Sequence, residues 1–268
     1  MIKLENIVTV SIDQLKFVIE SARNPSNSWK ESDSDFSLCH GDNPREIDRC
    51  LGEKDIELMR HLSNSVDHSF MRMMPIYVRV TAPVYWWKDF EMQKSTIFSN
   101  PSNVKLSSSS TIKAFLDHEL SLDDFSTEHL TDALKEELCR TIDILNRYRL
   151  DYLCSDGDKK MQAWWQIANL VPSNYHRICN LMLDYETLAD NYKFFQTSPL
   201  TEWKSFCTQL EETLPLSPLF SKKWHIYNKK AGKKIERMRH RRKSMTYSSE
   251  PIAVENQQFQ PLLRTNDC

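Results

Sequence analysis

Residues 70–90, Phe-Met-Arg-Met-Met-Pro-Ile-Tyr-Val-Arg-Val-Thr-Ala-Pro-Val-Tyr-Trp-Trp-Lys-Asp-Phe, restrict the fold more than any other stretch. Ile76, Val78 and Val80 alternate with Tyr77, Arg79 and Thr81, the period-two signature of a strand with one apolar side. Pro83 then suits the first turn of a helix, where its missing N–H costs nothing. That helix opens on Tyr85, Trp86 and Trp87. Free N–H groups at such a start attract phosphate, so the strand-to-helix junction is where a nucleotide or flavin is expected to dock. The three aromatics are read in two ways, as core packing and as a stacking platform.

Other segments follow from periodicity and punctuation. Ile2 to Val10 reads as a short strand, and Ser11 caps a helix with Leu15, Val18, Ile19 and Ala22 on one side. Asn24 to Gly52 is polar and turn-rich. Ile56, Leu58, Met59 and Leu62 mark a second helix ending near Asn64. A polar loop is expected over Ser95–Ser110, long enough to act as a lid. Ser126 and Thr127 are expected to open the longest helix, striped by Leu130, Leu134, Leu138, Ile142, Leu145, Tyr148 and Tyr152. Met161–Val171 is a helix with Trp164, Trp165 and Ile167 inward, stopped by Pro172. Arg177–Leu183 is a second buried strand, Asp184 caps a helix over Tyr185–Phe195, and Thr201–Thr213 is the last helix. The class implied is α+β, a mainly antiparallel sheet packed with long helices.

At 268 residues the chain can bury one substantial core. A domain over 1–220 and a basic, disordered tail over 221–268 are expected. Residues 222–243 hold eleven Lys and Arg against the single acid Glu236, while residues 1–221 carry a net −10. Arg237, Arg239, Arg241, Arg242 and Lys243 would draw nucleic-acid phosphates through counterion release without reading bases; the duller reading is a solvated tail. No apolar run approaches the roughly 20 residues that span a bilayer. Nor does the N-terminus have the charge-then-apolar order of a signal peptide, so a soluble, cytoplasmic protein without membrane contact is expected. The 7 cysteines include no Cys-x-x-Cys pair, so free thiols and no metal site are expected. His176 and Cys179 lack the further ligands a metal needs. With only 4 glycines there is no Gly-x-Gly-x-x-Gly and no Walker loop, which removes the usual dinucleotide and P-loop folds. His-Glu-x-x-His, Gly-x-Ser-x-Gly and internal repeats are also absent.

The order of parts over roughly residues 1 to 215 resembles the flavin-dependent thymidylate synthase family. Asp67-His68 with Phe70 is similar to that family's Glu-His before its sheet strand. Val171-Pro172, Tyr175 and the segment Leu181 to Asn191 sit where the family has its Leu-Pro and its Asn-x-Arg-Glu helix. The resemblance implies FAD as cofactor, its reduced form supplying hydride and methylenetetrahydrofolate one carbon, with NADPH as a further cofactor. It further implies reductive methylation of deoxyuridine monophosphate to thymidylate, a methyltransferase step of nucleotide biosynthesis, and a homotetramer. By the same resemblance His68, Arg79, Tyr85, Trp86 and Lys88 are assigned to the cofactor, and Ser99, Ser102, Lys105, Asp184 and Glu186 to the substrate.

Departures from the pattern set a second expectation. The family's Arg-His-Arg falls on Lys88, Asp89 and Phe90, and its Asn-x-Arg-Glu arginine on Glu186, with Asp184 in place of asparagine. A dianionic phosphate needs charge-assisted donors, and at an effective dielectric constant near 20 a unit pair at 4 Å is worth about 4 kcal/mol, so replacing an arginine with an acid turns an attraction of that size into repulsion. The runner-up reading is therefore a non-catalytic scaffold or binding protein whose basic tail contacts nucleic acid.

Overall fold

The computed structural model describes residues 2–38, 47, 50–97 and 115–224. The chain divides into two units, Met1–Lys222 and Lys223–Cys268, and the fold described here is that of the first. Its centre is a three-stranded antiparallel sheet of β1 (Lys3–Val8), β2 (Pro75–Pro83) and β3 (His176–Asp184), with β2 in the middle. Residues alternate along β2 as the sequence indicates, with Ile76, Val78 and Val80 buried and Tyr77 and Arg79 exposed. β1 bulges between Glu5 and Val8, where Asn6 takes a positive φ of 51°. Its free edge is covered by one side chain: Gln209 accepts from the Leu4 N–H at 3.1 Å and donates to the Ile2 carbonyl at 3.0 Å.

α1 (Ile12–Arg23) starts at a full capping box between Ser11 and Gln14 and buries Leu15, Val18, Ile19 and Ala22. α2 (Glu53–Ser63) follows a polar strap, α3 (Val84–Ile97) leaves β2 directly, and α4 (Asp132–Cys154) and α5 (Gly157–Leu170) form a hairpin. Gly157, at φ +56°, turns the chain between the last two in a conformation that side chains rarely adopt. α6 (Tyr185–Thr197), α7 (Thr201–Thr213) and the single turn α8 (Pro218–Ser221) complete the unit. The Asp184 carboxylate accepts from the Thr187 N–H at 2.7 Å and so caps α6. Asp184→Ala should cost about 1 kcal/mol in urea unfolding, while Asp184→Asn should stay near wild type.

Two apolar clusters hold these elements. Trp86, Trp87 and Phe90 of α3 pack with Phe195 of α6 and Trp203 and Phe206 of α7, all buried. The other joins Phe115, Phe125 and Tyr175 to Leu138, Ile142 and Leu145 of α4 and Ile167 of α5. The α+β class with a mainly antiparallel sheet is therefore the observed one. Among the described residues no helix is long and apolar enough to cross a membrane.

Several boundaries differ from expectation, each for an identifiable reason. The long helix begins at Asp132, because the Ser126 N–H is taken by the Asn174 carbonyl and Phe125 bridges to Tyr175, which holds that stretch extended. Thr131 then provides the cap. Pro83 closes β2 opposite His176 instead of opening α3, and α3 runs on to Ile97, into the expected loop. The remainder of that loop lies outside the described residues. Trp165 is 54% exposed, because the inward side of α5 follows Ala163 and Ile167. Cys50 is disulfide-bonded, against the expectation of free thiols, whereas Cys139, Cys154 and Cys179 are free. Spacing along the chain does not show which thiols a loop brings together.

Candidate functional site

The residues singled out in the sequence fall at the two ends of β2. Pro75 pairs with Asp184 at one end and Pro83 with His176 at the other. At about 3.4 Å per residue these ends are roughly 27 Å apart, too far for one small-molecule site within one chain. His68, Asp184 and Glu186 belong to the first end. Tyr85, Trp86 and Lys88 belong to the second, with Arg79 between them on the exposed side of the sheet.

At the first end the charged groups are committed to one another. His68 presents Nε2 to Asp190 Oδ1 at 2.9 Å and Nδ1 to the Ser65 carbonyl at 3.2 Å. Arg72, in the turn Ser69–Met73, is ion-paired with Glu186, and that pairing holds its guanidinium above the usual range. Asp67 lies below the ordinary carboxylate range because the Ser69 hydroxyl and N–H donate to it. Lys222 donates to the Ser63 carbonyl, and burial lowers its amine. Asp184 is spent as the α6 cap. Glu186 thus meets an arginine of its own chain, and neither acid offers a donor to a phosphate.

At the second end, packing decides what is open. The Val84 N–H donates to the Tyr175 carbonyl and the Tyr85 N–H to the Ser173 carbonyl, each at 2.9 Å. Two of the donors expected to greet an anion at the start of α3 are therefore used by the chain itself. Trp86 and Trp87 are wholly buried, with Trp86 4.7 Å from Trp203 and 5.0 Å from Trp87 between ring centroids. Trp87 donates to the Arg177 carbonyl at 3.0 Å. No face of either ring is open to stack on a flat ligand. Lys88 is exposed, so it and Trp86 occupy different environments. Asp89 accepts from Trp203 Nε1 at 2.7 Å and Phe90 is core. The three positions matched to the Arg-His-Arg signature consequently point to separate tasks.

Around Tyr85 lies a polar constellation that sequence reading missed. Its hydroxyl donates to the buried carboxylate of Glu202 on α7, and burial followed by that bond raises the phenol far above its ordinary range. Tyr175 is pushed up to about 12 by burial, then by Asp124. His176 donates through Nδ1 to the Asp123 carbonyl, 3.3 Å away, and burial lowers its pKa. Burial likewise raises the Cys179 thiol. The signal for Glu202 was available: it stands four and eight residues before Phe206 and Leu210, on the apolar stripe of α7. A neutral phenol and a buried carboxylate make a hydrogen-bonding pair here, not an anion receptor.

A flavin therefore does not fit at the Pro83 junction. Ser99, Ser102 and Lys105, and the tail residues Arg237, Arg239, Arg241, Arg242 and Lys243, lie outside the described residues. No group of three or more His, Cys, Asp or Glu that could hold a metal occurs among the described residues.

No protein-family model matches the chain, and no curated protein matches it in sequence. Among solved structures it is similar to flavin-dependent thymidylate synthase ThyX from Helicobacter pylori with FAD and dUMP. One such structure has a TM-score of 0.51 at 13% identity, over 82% of this chain and 97% of that one. Another, complexed with FAD and dUMP, has a TM-score of 0.49 at 14% identity, over 82% and 96%. Identity this low establishes likeness of fold.

Proposed function

We propose that this chain is a nucleotide-binding protein on a thymidylate synthase-like scaffold, taking a flavin nucleotide with deoxyuridine monophosphate as the paired ligand. The observation that carries this reading is the fold likeness spanning 97% of a synthase solved with FAD and dUMP. Among the described residues assigned to the ligands, the exposed cations are Arg79 and Lys88, while the nearby Arg72 is spent on Glu186. Ser99, Ser102 and Lys105 would supply the remaining phosphate donors. If the reaction persists, NADPH and methylenetetrahydrofolate are its other reactants.

The closed junction favours a second reading, a non-catalytic scaffold whose basic segment 222–243 contacts nucleic acid. One titration separates the two. Purified full-length chain mixed with FAD at micromolar concentration should shift the visible flavin spectrum and quench its fluorescence, and added deoxyuridine monophosphate should perturb the bound spectrum further. An unchanged spectrum at every protein concentration would sink the first reading. A DNA mobility shift that weakens steeply with salt, and disappears when residues 222–243 are deleted, would then support the second.

A further inference from the structure

We infer that Ser32, in the strap between α1 and α2, is a phosphorylation site for a serine kinase that selects acidic segments, and that the phosphate undocks the strap. Residues 32–35, Ser-Asp-Ser-Asp, belong to neither helix nor strand, and Ser32 is extended at φ −59° and ψ 131°. Such a segment enters a kinase groove without the unfolding of a regular element. Glu31, Asp33 and Asp35 place carboxylates one residue before the serine, one after and three after, and all are exposed with it. Charge patterns of this kind are what kinases discriminate, here through a groove lined by Lys and Arg. Ser155 has the same acids after it, Asp156 and Asp158, but it ends α4 at the tight turn where Gly157 takes a φ of +56°.

What the hydroxyl holds makes the site a switch. Ser32 Oγ donates to Asp55 Oδ2 at 2.7 Å, beside Ser34 at 2.5 Å, while Arg23 takes the other oxygen of this buried carboxylate. Asp33 accepts from the Lys54 and Asp55 N–H groups at 3.1 and 3.2 Å, and the Gly52 N–H donates to Ser34 Oγ at 3.0 Å. Three consecutive side chains thus fasten the strap over the start of α2. With its hydroxyl engaged, Ser32 reacts when the strap lifts, and the product is barred from returning.

Transfer forms a bond between Ser32 Oγ and the γ-phosphorus of ATP, breaks that phosphorus from the β,γ-bridging oxygen, and releases ADP and the hydroxyl proton. The ester lacks the hydrogen that Asp55 accepted and carries about −1.5 to −2 charges at neutral pH. In the docked position it would meet the Asp55 carboxylate at hydrogen-bond distance, where Arg23 is already committed to Asp55 and to Ser28. Like charge keeps the strap out.

Full-length chain incubated with magnesium, ATP and an acidophilic serine kinase of the casein kinase type tests this, with sites mapped by phosphopeptide mass spectrometry. Ser32 should carry phosphate. Release is read by hydrogen exchange at the start of α2, where the Gly52, Lys54 and Asp55 amides are held by strap side chains. In the phosphorylated chain these should exchange at least about tenfold faster than in the unmodified chain and in Ser32→Ala, and phosphatase should restore the slow rate. Phosphate absent from Ser32, or confined to Ser155 and other serines, overturns the inference. So does phosphate on Ser32 with exchange unchanged, or equal acceleration in Ser32→Ala, which loses the hydroxyl and gains no charge. Should Ser32→Ala fail to fold, wild-type chain before and after phosphatase carries the test. Flavin and deoxyuridine monophosphate are absent throughout, so the outcome stands apart from that of the spectral titration.

Discussion

Replacing Asp55 with alanine should lower the unfolding free energy by about 3–5 kcal/mol, the cost of leaving a buried charge without its partner. Asp55 is fully buried, and Arg23 reaches it through Nη2 at 2.6 Å and Nε at 2.8 Å. Ser32 and Ser34 donate to the other carboxylate oxygen at 2.7 and 2.5 Å. Loss of the carboxylate strands the Arg23 guanidinium and both hydroxyls, and frees the strap that carries them. Against a usual total of about 5–15 kcal/mol the variant would be only marginally folded. The effect also has a sign in pH. Burial pushes the Asp55 carboxyl up, but bonds from Ser32, Ser34 and Arg23 outweigh it and hold the group below its ordinary value. Its contribution is therefore complete above the unfolded pKa near 3.9 and lost as pH falls through the lower folded value. Urea unfolding should show wild type and Asp55→Ala converging in that acid range and separated at neutral pH.

Trp203→Ala is expected to cost a similar 3–5 kcal/mol by a different route. Trp203 is buried at the meeting of three helices, stacked on Phe195 at 4.4 Å and 6° and packed on Trp86 at 4.7 Å. Alanine leaves a cavity and deprives Asp89 of the indole donor. Trp203→Phe keeps an aromatic ring in the cluster and removes the donor, so it should cost about 1–3 kcal/mol. Equal losses in the two variants would show that the Asp89 bond, not packing, is the larger contribution. Chemical denaturation of both proteins decides.

Periodicity made most of the fold legible. The alternation in β2, the Ser11 and Asp184 caps and the whole of Thr201–Thr213 are local patterns that tertiary contacts reinforced. The start of α4 was not legible, because a bridge from Phe125 to Tyr175, fifty residues away in sequence, overrides the helix signal at Ser126. The site was less readable for a related reason. Trp86 beside Lys88 looks like a platform beside a cation, yet a helix turns about 100° per residue, and two steps send these side chains to opposite surroundings. Charges lying on apolar stripes were the overlooked signal. Arg23 continues the line Leu15, Ile19, and Asp55 begins the line continued by Met59, so each had to be buried and each needed the other.

Gln209 gives the sheet an end. By answering the Leu4 N–H and the Ile2 carbonyl, its amide imitates one residue of a neighbouring strand without offering a next one. Fibril growth propagates by copying unpaired backbone from chain to chain, and at this margin the template is already occupied by a side chain that cannot be extended.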